Sequence, residues 1–368
     1  MSRDISSQVN FLYEKLLLEL NHFAVSRRFF SIRELMSRYQ VSRRIVEKVL
    51  ARLEEEQRIR IEPARGSFVR ESKCNKRIIV SVHCDWPSER LEDLDAAIAE
   101  EVNAYSGWIF SRALFCPDFG SHFIKLLKEI HGNVFLLRLP VIKLTQQLIV
   151  QILSLPTPVI FWGNDILIDG INVLDSNSEF AGMLAAECLV RNGHRKIALI
   201  LSEPHNIFSW RRNNTFLSYL RLHGLAPVVI DCEIRSGEAS MAKTHDRMVA
   251  YFKTHGADFS ACFVSSDYSA LGVMSACREC GLEVPDDISI IGSGNISCVS
   301  HSQPQLTTIA DDLPGIARTF CEGVEELFNG GHFGIRTVSP YLIERQSVRV
   351  LSGEEENTRQ RRSTFRSL

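Results

Sequence analysis

At 368 residues the chain is longer than one ordinary domain, so two or three folding units are expected. Apolar residues make up 45% of it, enough for a full core. No apolar run is long enough to span a bilayer, and the first ten residues lack the apolar stretch of a secretory signal, so a cytoplasmic protein away from the membrane is expected. The net charge of −2 divides unevenly: residues 1–75 hold 15 Lys and Arg against 10 Asp and Glu, and the rest hold 27 against 34. A basic front on an acidic body suits a polyanionic partner for the front alone. The ten cysteines are scattered. Only Cys277 and Cys280 make a C-x-x-C pair, within a helical pattern, and no second Cys/His pair lies at zinc spacing. Free thiols in a reducing compartment are expected, with no metal and no cofactor.

In chain order, Gln8–Phe23 carries apolar residues at Phe11, Leu12, Leu16, Leu18 and Leu20, a first helix. Ser31 to Glu34 reads S-x-x-E, a capping box that starts a short second helix ending near Tyr39. Ser42 caps a third helix, in which Val46, Val49, Leu50 and Leu53 form the buried stripe. Arg44, Lys48 and Arg52 recur every four residues on another face, and Arg43 sits in the first turn. Arg58–Glu62 alternates polar and apolar residues, Pro63–Gly66 has turn chemistry, and Ser67–Arg70 closes a β-hairpin. Three helices and a hairpin make a winged helix-turn-helix. Its third helix enters the major groove of double-stranded DNA, and its hairpin tip lies against phosphate or the minor groove.

These residues resemble the GntR-type DNA-binding domain. The resemblance rests on Arg33-Glu34-Leu35 in the second helix, Val41-Ser42-Arg43 opening the third, and Gly66-Ser67-Phe68-Val69 in the wing. It implies that Arg33, Ser42, Arg43, Arg44, Lys48, Arg65 and Gly66 contact operator DNA. The chain departs from that pattern in two places. Ile45 replaces a usual Thr, and the Gly after the third helix is replaced near Gln57.

Residues 71–77 are polar and aperiodic and read as a linker between the 1–70 unit and a body over 78–350. Short apolar strands then alternate with amphipathic helices. Strands are expected at Ile78–Val82, Trp108–Ser111, Val134–Leu139, Val159–Trp162, Lys196–Leu201, Val228–Asp231, Ala261–Val264 and Ile288–Ile291. This alternation predicts parallel, doubly wound sheets, and eight strands suit two Rossmann-like lobes facing a cleft better than one sheet. Residues 351–368 carry an acidic and then an arginine-rich tail and are expected to be disordered.

The body is similar to the ligand-sensing domain of LacI/GalR regulators, itself like the periplasmic sugar-binding proteins. The matching features are Gly193-His194 between helix and strand, the D-x-x-A-x-G run from Asp267, the P-x-L-T-T-I segment Pro304–Ile309, and L-x-x-R-x-S over Leu342–Ser347. The first lobe, about 78–165, matches in layout only. The resemblance implies an effector site built from Arg212, with Ser266 where relatives offer Asn, and with Asp85, Trp86 and Asn295 around it. His194 is expected to be structural, and Asp267 to cap its helix. Gly294 stands where sugar-binding members carry an Asp. No phosphate loop, H-E-x-x-H or G-x-S-x-G occurs, so no enzyme is expected. The sequence therefore reads as a homodimeric DNA-binding repressor controlled by a small molecule, a sugar or sugar derivative. The alternative is a constitutive regulator whose sensor-like body only dimerises.

Overall fold

A computed structural model describes residues 5–20, 27–63, 65–70, 77–84, 89–115, 122–138, 145–163, 170–204, 207–235 and 237–351. The linker at 71–76, most of the tail, and the effector candidates Asp85 and Trp86 lie outside the described residues.

The front unit contains α1 (Ile5–Leu20), α2 (Ile32–Tyr39), α3 (Arg43–Glu55), β1 (Ile59–Glu62) and β2 (Gly66–Val69). The capping box forms as expected: Glu34 N–H donates to Ser31 Oγ at 3.3 Å, and Ser31 N–H donates to the Glu34 carboxylate at 2.7 Å. The stripe of α3 is buried and also includes Ile45, which joins Leu12, Leu16 and Leu35 in one core. Phe11 is exposed, because the face of α1 that meets α3 is set by Leu12, Leu16 and Leu20. After α3, Gln57 has φ 57°, the left-handed conformation that glycine would adopt without strain. Strands β1 and β2 pair antiparallel, Ile59 opposite Val69. Residues 27–29 add a short edge to β2: Phe29 N–H bonds Ser67 O at 2.8 Å, and Val69 N–H bonds Arg27 O at 3.0 Å.

The body holds two six-stranded sheets. The first lobe comprises β3 (Arg77–Cys84), α4 (Glu89–Val102), β4 (Trp108–Phe115), α5 (Phe123–Glu129), β5 (Val134–Arg138), α6 (Gln146–Leu153), β6 (Val159–Trp162) and β7 (Asn172–Ser176). The second comprises α7 (Ser178–Arg191), β8 (Ile197–Leu201), α8 (Ile207–Leu222), β9 (Val228–Asp231), α9 (Ser240–His255), β10 (Ala261–Val264), α10 (Asp267–Glu279), β11 (Ser289–Ser293) and β12 (Thr307–Ala310). The chain then returns to the first lobe for α11 (Leu313–Phe328) and β13 (Ile335–Val338), and ends in the second with β14 (Tyr341–Ile343). The sheet orders are β13-β7-β6-β5-β3-β4 and β14-β12-β11-β10-β8-β9, parallel throughout except for the antiparallel β14.

The first lobe is therefore not confined to 78–165. The apolar face of α11, with Ile316, Phe320 and Val324, completes its core against Leu94, Ile98 and Val102 of α4. The chain crosses between the lobes three times, after β7, β12 and β13. His194 is buried at the end of the second sheet opposite its strand C-termini. Its ring bonds Ser260 Oγ at 2.9 Å and Arg349 O at 3.2 Å, which is a structural position.

Under α4 lies a charged group closed off from water. Arg138, at the end of β5, has a fully buried side chain. It donates to Leu91 O and Ser81 Oγ, each at 2.9 Å, and to the Asp95 carboxylate. His83 Nε2 lies 3.3 Å from the same carboxylate. Burial pushes the Asp95 pKa up, but His83, Arg138 and Ser81 outweigh it and hold the group below the usual carboxylate range. Removing one partner of such a pair strands a buried charge. Asp95→Ala is expected to cost about 3–5 kcal/mol in urea unfolding; a loss under about 1 kcal/mol would contradict this account of the cluster.

Candidate functional site

Two surfaces carry the residues singled out by sequence. On the front unit, Arg43 Nε donates to Glu47 at 2.7 Å and Arg65 Nη1 pairs with Glu62 at 2.9 Å. Exposed pairs of this kind are worth about 0–1 kcal/mol, so either arginine can exchange its partner for a phosphate or a base. Arg33, Arg44 and Lys48 are exposed and form no ion pair among the described residues. Ser42 occupies the N-cap of α3, yet its hydroxyl makes no capping bond and faces solvent. Gly66 has φ 110°, a conformation that side chains rarely adopt, and a Cβ there would lie 3.1 Å from Arg28 Nε. Arg28 thus lies over the wing tip. Sequence reading missed it, because nothing in a strand-like stretch between two helices points to the hairpin.

The second surface is the cleft. In each lobe the strand C-termini face the other lobe, where parallel α/β sheets place ligands. Contacts across the gap come from residues just beyond those termini. Glu89, at the start of α4, accepts from Tyr268 Oη at 3.2 Å and from Ser297 N–H. Arg90 donates to Asp311 at 2.6 Å, and Asp311 also accepts from Ser176 Oγ, tying α4 to two of the three crossings.

Arg212 on α8 is 5% exposed. Its Nη2 donates to Glu203 at 2.6 Å and its Nη1 to Ser293 Oγ at 3.2 Å, which places the guanidinium between the ends of β8 and β11. The two other described effector candidates have the following surroundings. Asn295 Oδ1 accepts from Arg345 Nη2 at 2.7 Å, so its acceptor is already engaged inside the second lobe. Ser266 is the N-cap of α10, the role expected of Asp267, and its hydroxyl makes no capping bond.

Asp267 is instead the first residue of α10 and is buried beneath the loop after β11. It accepts from Thr308 Oγ1 at 2.7 Å and from Ile296 N–H at 3.1 Å. Neither Glu203 nor Asp311 was singled out from sequence. Asp311 follows β12 directly and Glu203 stands two residues beyond β8, and that position was the available signal. No group of His, Cys, Asp and Glu among the described residues could hold a metal ion. No helix among them is long and apolar enough to cross a membrane.

Comparison with known proteins bears on the body. Residues 186–348 match the model of the periplasmic binding protein-like domain. The chain is 28% identical over 247 residues to the HTH-type transcriptional repressor PurR of Aliivibrio salmonicida (strain LFI1238), covering 64% of this chain and 70% of that one. Of seven further PurR repressors it spans 56–59% of the length. Among solved structures, a dimeric Lac repressor with an 11-residue C-terminal deletion superposes with a TM-score of 0.65 at 22% identity, over 75% of this chain and all of that one. The LacI family regulator CCPA of Weissella paramesenteroides, with bound sucrose, gives 0.63 at 19% over the same shares. The body thus has the two-lobed fold of LacI family structures.

The buried carboxyl of Asp267 makes a test of this geometry. Burial pushes its pKa up to about 6 from an ordinary 3.8, although Thr308 and the backbone N–H groups of Ile296 and Asn295 pull the other way. Between those values the folded protein keeps a proton that the unfolded chain has released. Stability from this group therefore falls as pH rises from about 4 to 6, by up to about 3 kcal/mol. In paired unfolding measurements, the stability of wild type relative to Asp267→Asn should drop over that interval. A difference that stays constant or grows with pH would contradict the buried ionisation.

Proposed function

We propose that the chain is a DNA-binding transcriptional repressor whose front unit reads double-stranded DNA and whose two-lobed body binds a small molecule that changes DNA affinity. The front unit is a winged helix-turn-helix: its order is helix, short strand, two helices, hairpin, with α3 as the recognition helix. The observation that carries this reading is the set Arg33, Arg44 and Lys48, exposed and without intramolecular ion pairs among the described residues. Unneutralised cations beside a recognition helix are what phosphate binding uses. The PurR relatives are HTH-type transcriptional repressors, which supports regulation in general. The GntR-type assignment of the front unit rests on its own residues and hairpin.

For the body, the sucrose bound to a protein of the same fold supports a carbohydrate effector. The buried Arg212 at the strand ends is its reader. A homodimer follows from the small DNA surface that one winged helix covers, and the Lac repressor of the same fold is dimeric. A second reading, constitutive DNA binding with a merely dimerising body, is favoured by the engagement of Arg212 with Glu203.

Fluorescence anisotropy on a duplex selected from genomic fragments tests the DNA surface. Lys48→Ala should weaken binding to every sequence and flatten the log-log salt dependence by about one unit. Arg43→Ala should cost about 1–3 kcal/mol on the selected duplex and relax its sequence preference. Unchanged binding in both variants would remove α3 from the interface.

A further inference from the structure

We propose that Glu203 supplies the ligand-binding carboxylate of the cleft and limits the effector to neutral polyhydroxylated molecules, excluding sugar acids and sugar phosphates. This rests on the reading of the body as an effector-binding domain. The starting observation is an incomplete hydrogen-bond set. Arg212 is almost wholly buried, two of its nitrogens reach Glu203 and Ser293, and its Nε has no partner among the described residues. A buried donor left in that state is costly, so the bonds of Arg212 stand to rearrange when a ligand enters beside the partly exposed Glu203.

Charge decides what kind of acceptor fits. Glu203 neutralises Arg212 at 2.6 Å and is itself partly exposed. A carboxylate or phosphate arriving beside the guanidinium would meet the negative charge of Glu203, and its ionised oxygens could give nothing back, since they only accept. A hydroxyl can donate to Glu203 and accept from the guanidinium, and vicinal hydroxyls do both at once. The other end of the cleft follows the same rule, because Arg90 already faces Asp311.

The backbone explains why the carboxylate sits on this side. Gly294 has φ 129°, which a residue with a side chain rarely adopts. An anchor attached there would strain the turn after β11. Glu203, two residues beyond β8, supplies a carboxylate to the other terminal nitrogen of the same guanidinium.

Thermal-shift and calorimetric titrations on the full chain test the assignment, with D-ribose and sucrose as neutral probes and D-gluconate and inorganic phosphate as anions. Wild type should be stabilised by neither anion at millimolar concentration. Glu203→Gln, which leaves the charge of Arg212 uncompensated, should gain stabilisation by both. That gain is decisive on its own, and Glu203→Asp should exclude the anions as wild type does. Any neutral sugar that shifts wild type should bind Glu203→Gln roughly ten- to a hundredfold more weakly. The proposal is overturned if the anions stabilise wild type, if Glu203→Gln gains no anion binding, or if the neutral sugars bind that variant more tightly, which would make Glu203 a plug. These arms are read without DNA, so a chain that fails to bind DNA would defeat the regulator reading and leave this assignment standing.

Discussion

The cleft is held in register by one buried cation. Arg138 has no access to water, and its guanidinium is committed to the Leu91 carbonyl, to Ser81 and to Asp95. Leu91 and Asp95 belong to the first two turns of α4, and Ser81 to β3. The pair therefore fixes the start of α4 against the middle of β3 and the end of β5. A buried ion pair adds little net stability, because desolvation offsets most of its attraction, but it penalises every arrangement that separates the partners. Glu89 and Arg90 stand immediately before Leu91 of this clamp and are the groups that reach Tyr268, Ser297 and Asp311. The position of the second lobe relative to the first is thereby referred back to Arg138.

Three chain crossings allow hinge motion and forbid separation. Each crossing is short, and Asp311 joins two of them to α4 through Ser176 and Arg90. Closure is thus available from protein contacts alone, with Glu89 bridging the gap. In the proposed regulator a small molecule acts by changing how often those contacts are made. It can alter DNA affinity only through a difference in its affinity for the open and closed forms. Glu203 and Arg212 sit where that difference would be generated, between the ends of β8 and β11.

What the sequence made legible followed local periodicity and local capping. The box at Ser31 and Glu34 and the stripe through Val46 to Leu53 depend on contacts three and four residues apart, and both were readable. Strands β7 and β13 were not, since NVLDS and IRTV are short and carry neither clear alternation nor a long apolar run. The return of α11 to the first lobe is set by packing against α4, more than 200 residues earlier in the chain, and no local pattern encodes it. The same limit applies to the candidate site. Arg212 is singled out by a local motif of the resemblance. Its partner Glu203 and the engagement of Asn295 by Arg345 arise from tertiary approach. Asp267 was placed on the right helix but given the wrong task. Its side chain reaches Thr308, 41 residues away, and leaves the N-cap to Ser266.

The central claim is that lobe closure and DNA affinity are linked, and it can be tested without identifying the effector. Glu89 lies in the body, outside the front unit, and Glu89→Ala removes the contacts to Tyr268 and Ser297. The measurement is the affinity of wild type and of Glu89→Ala for one selected duplex at fixed salt. If effector-driven closure releases DNA, opening the cleft should tighten binding by about fivefold or more, a coupling of ordinary size. An affinity identical to wild type would contradict the account, because the lobes would then move without the DNA-binding unit registering it.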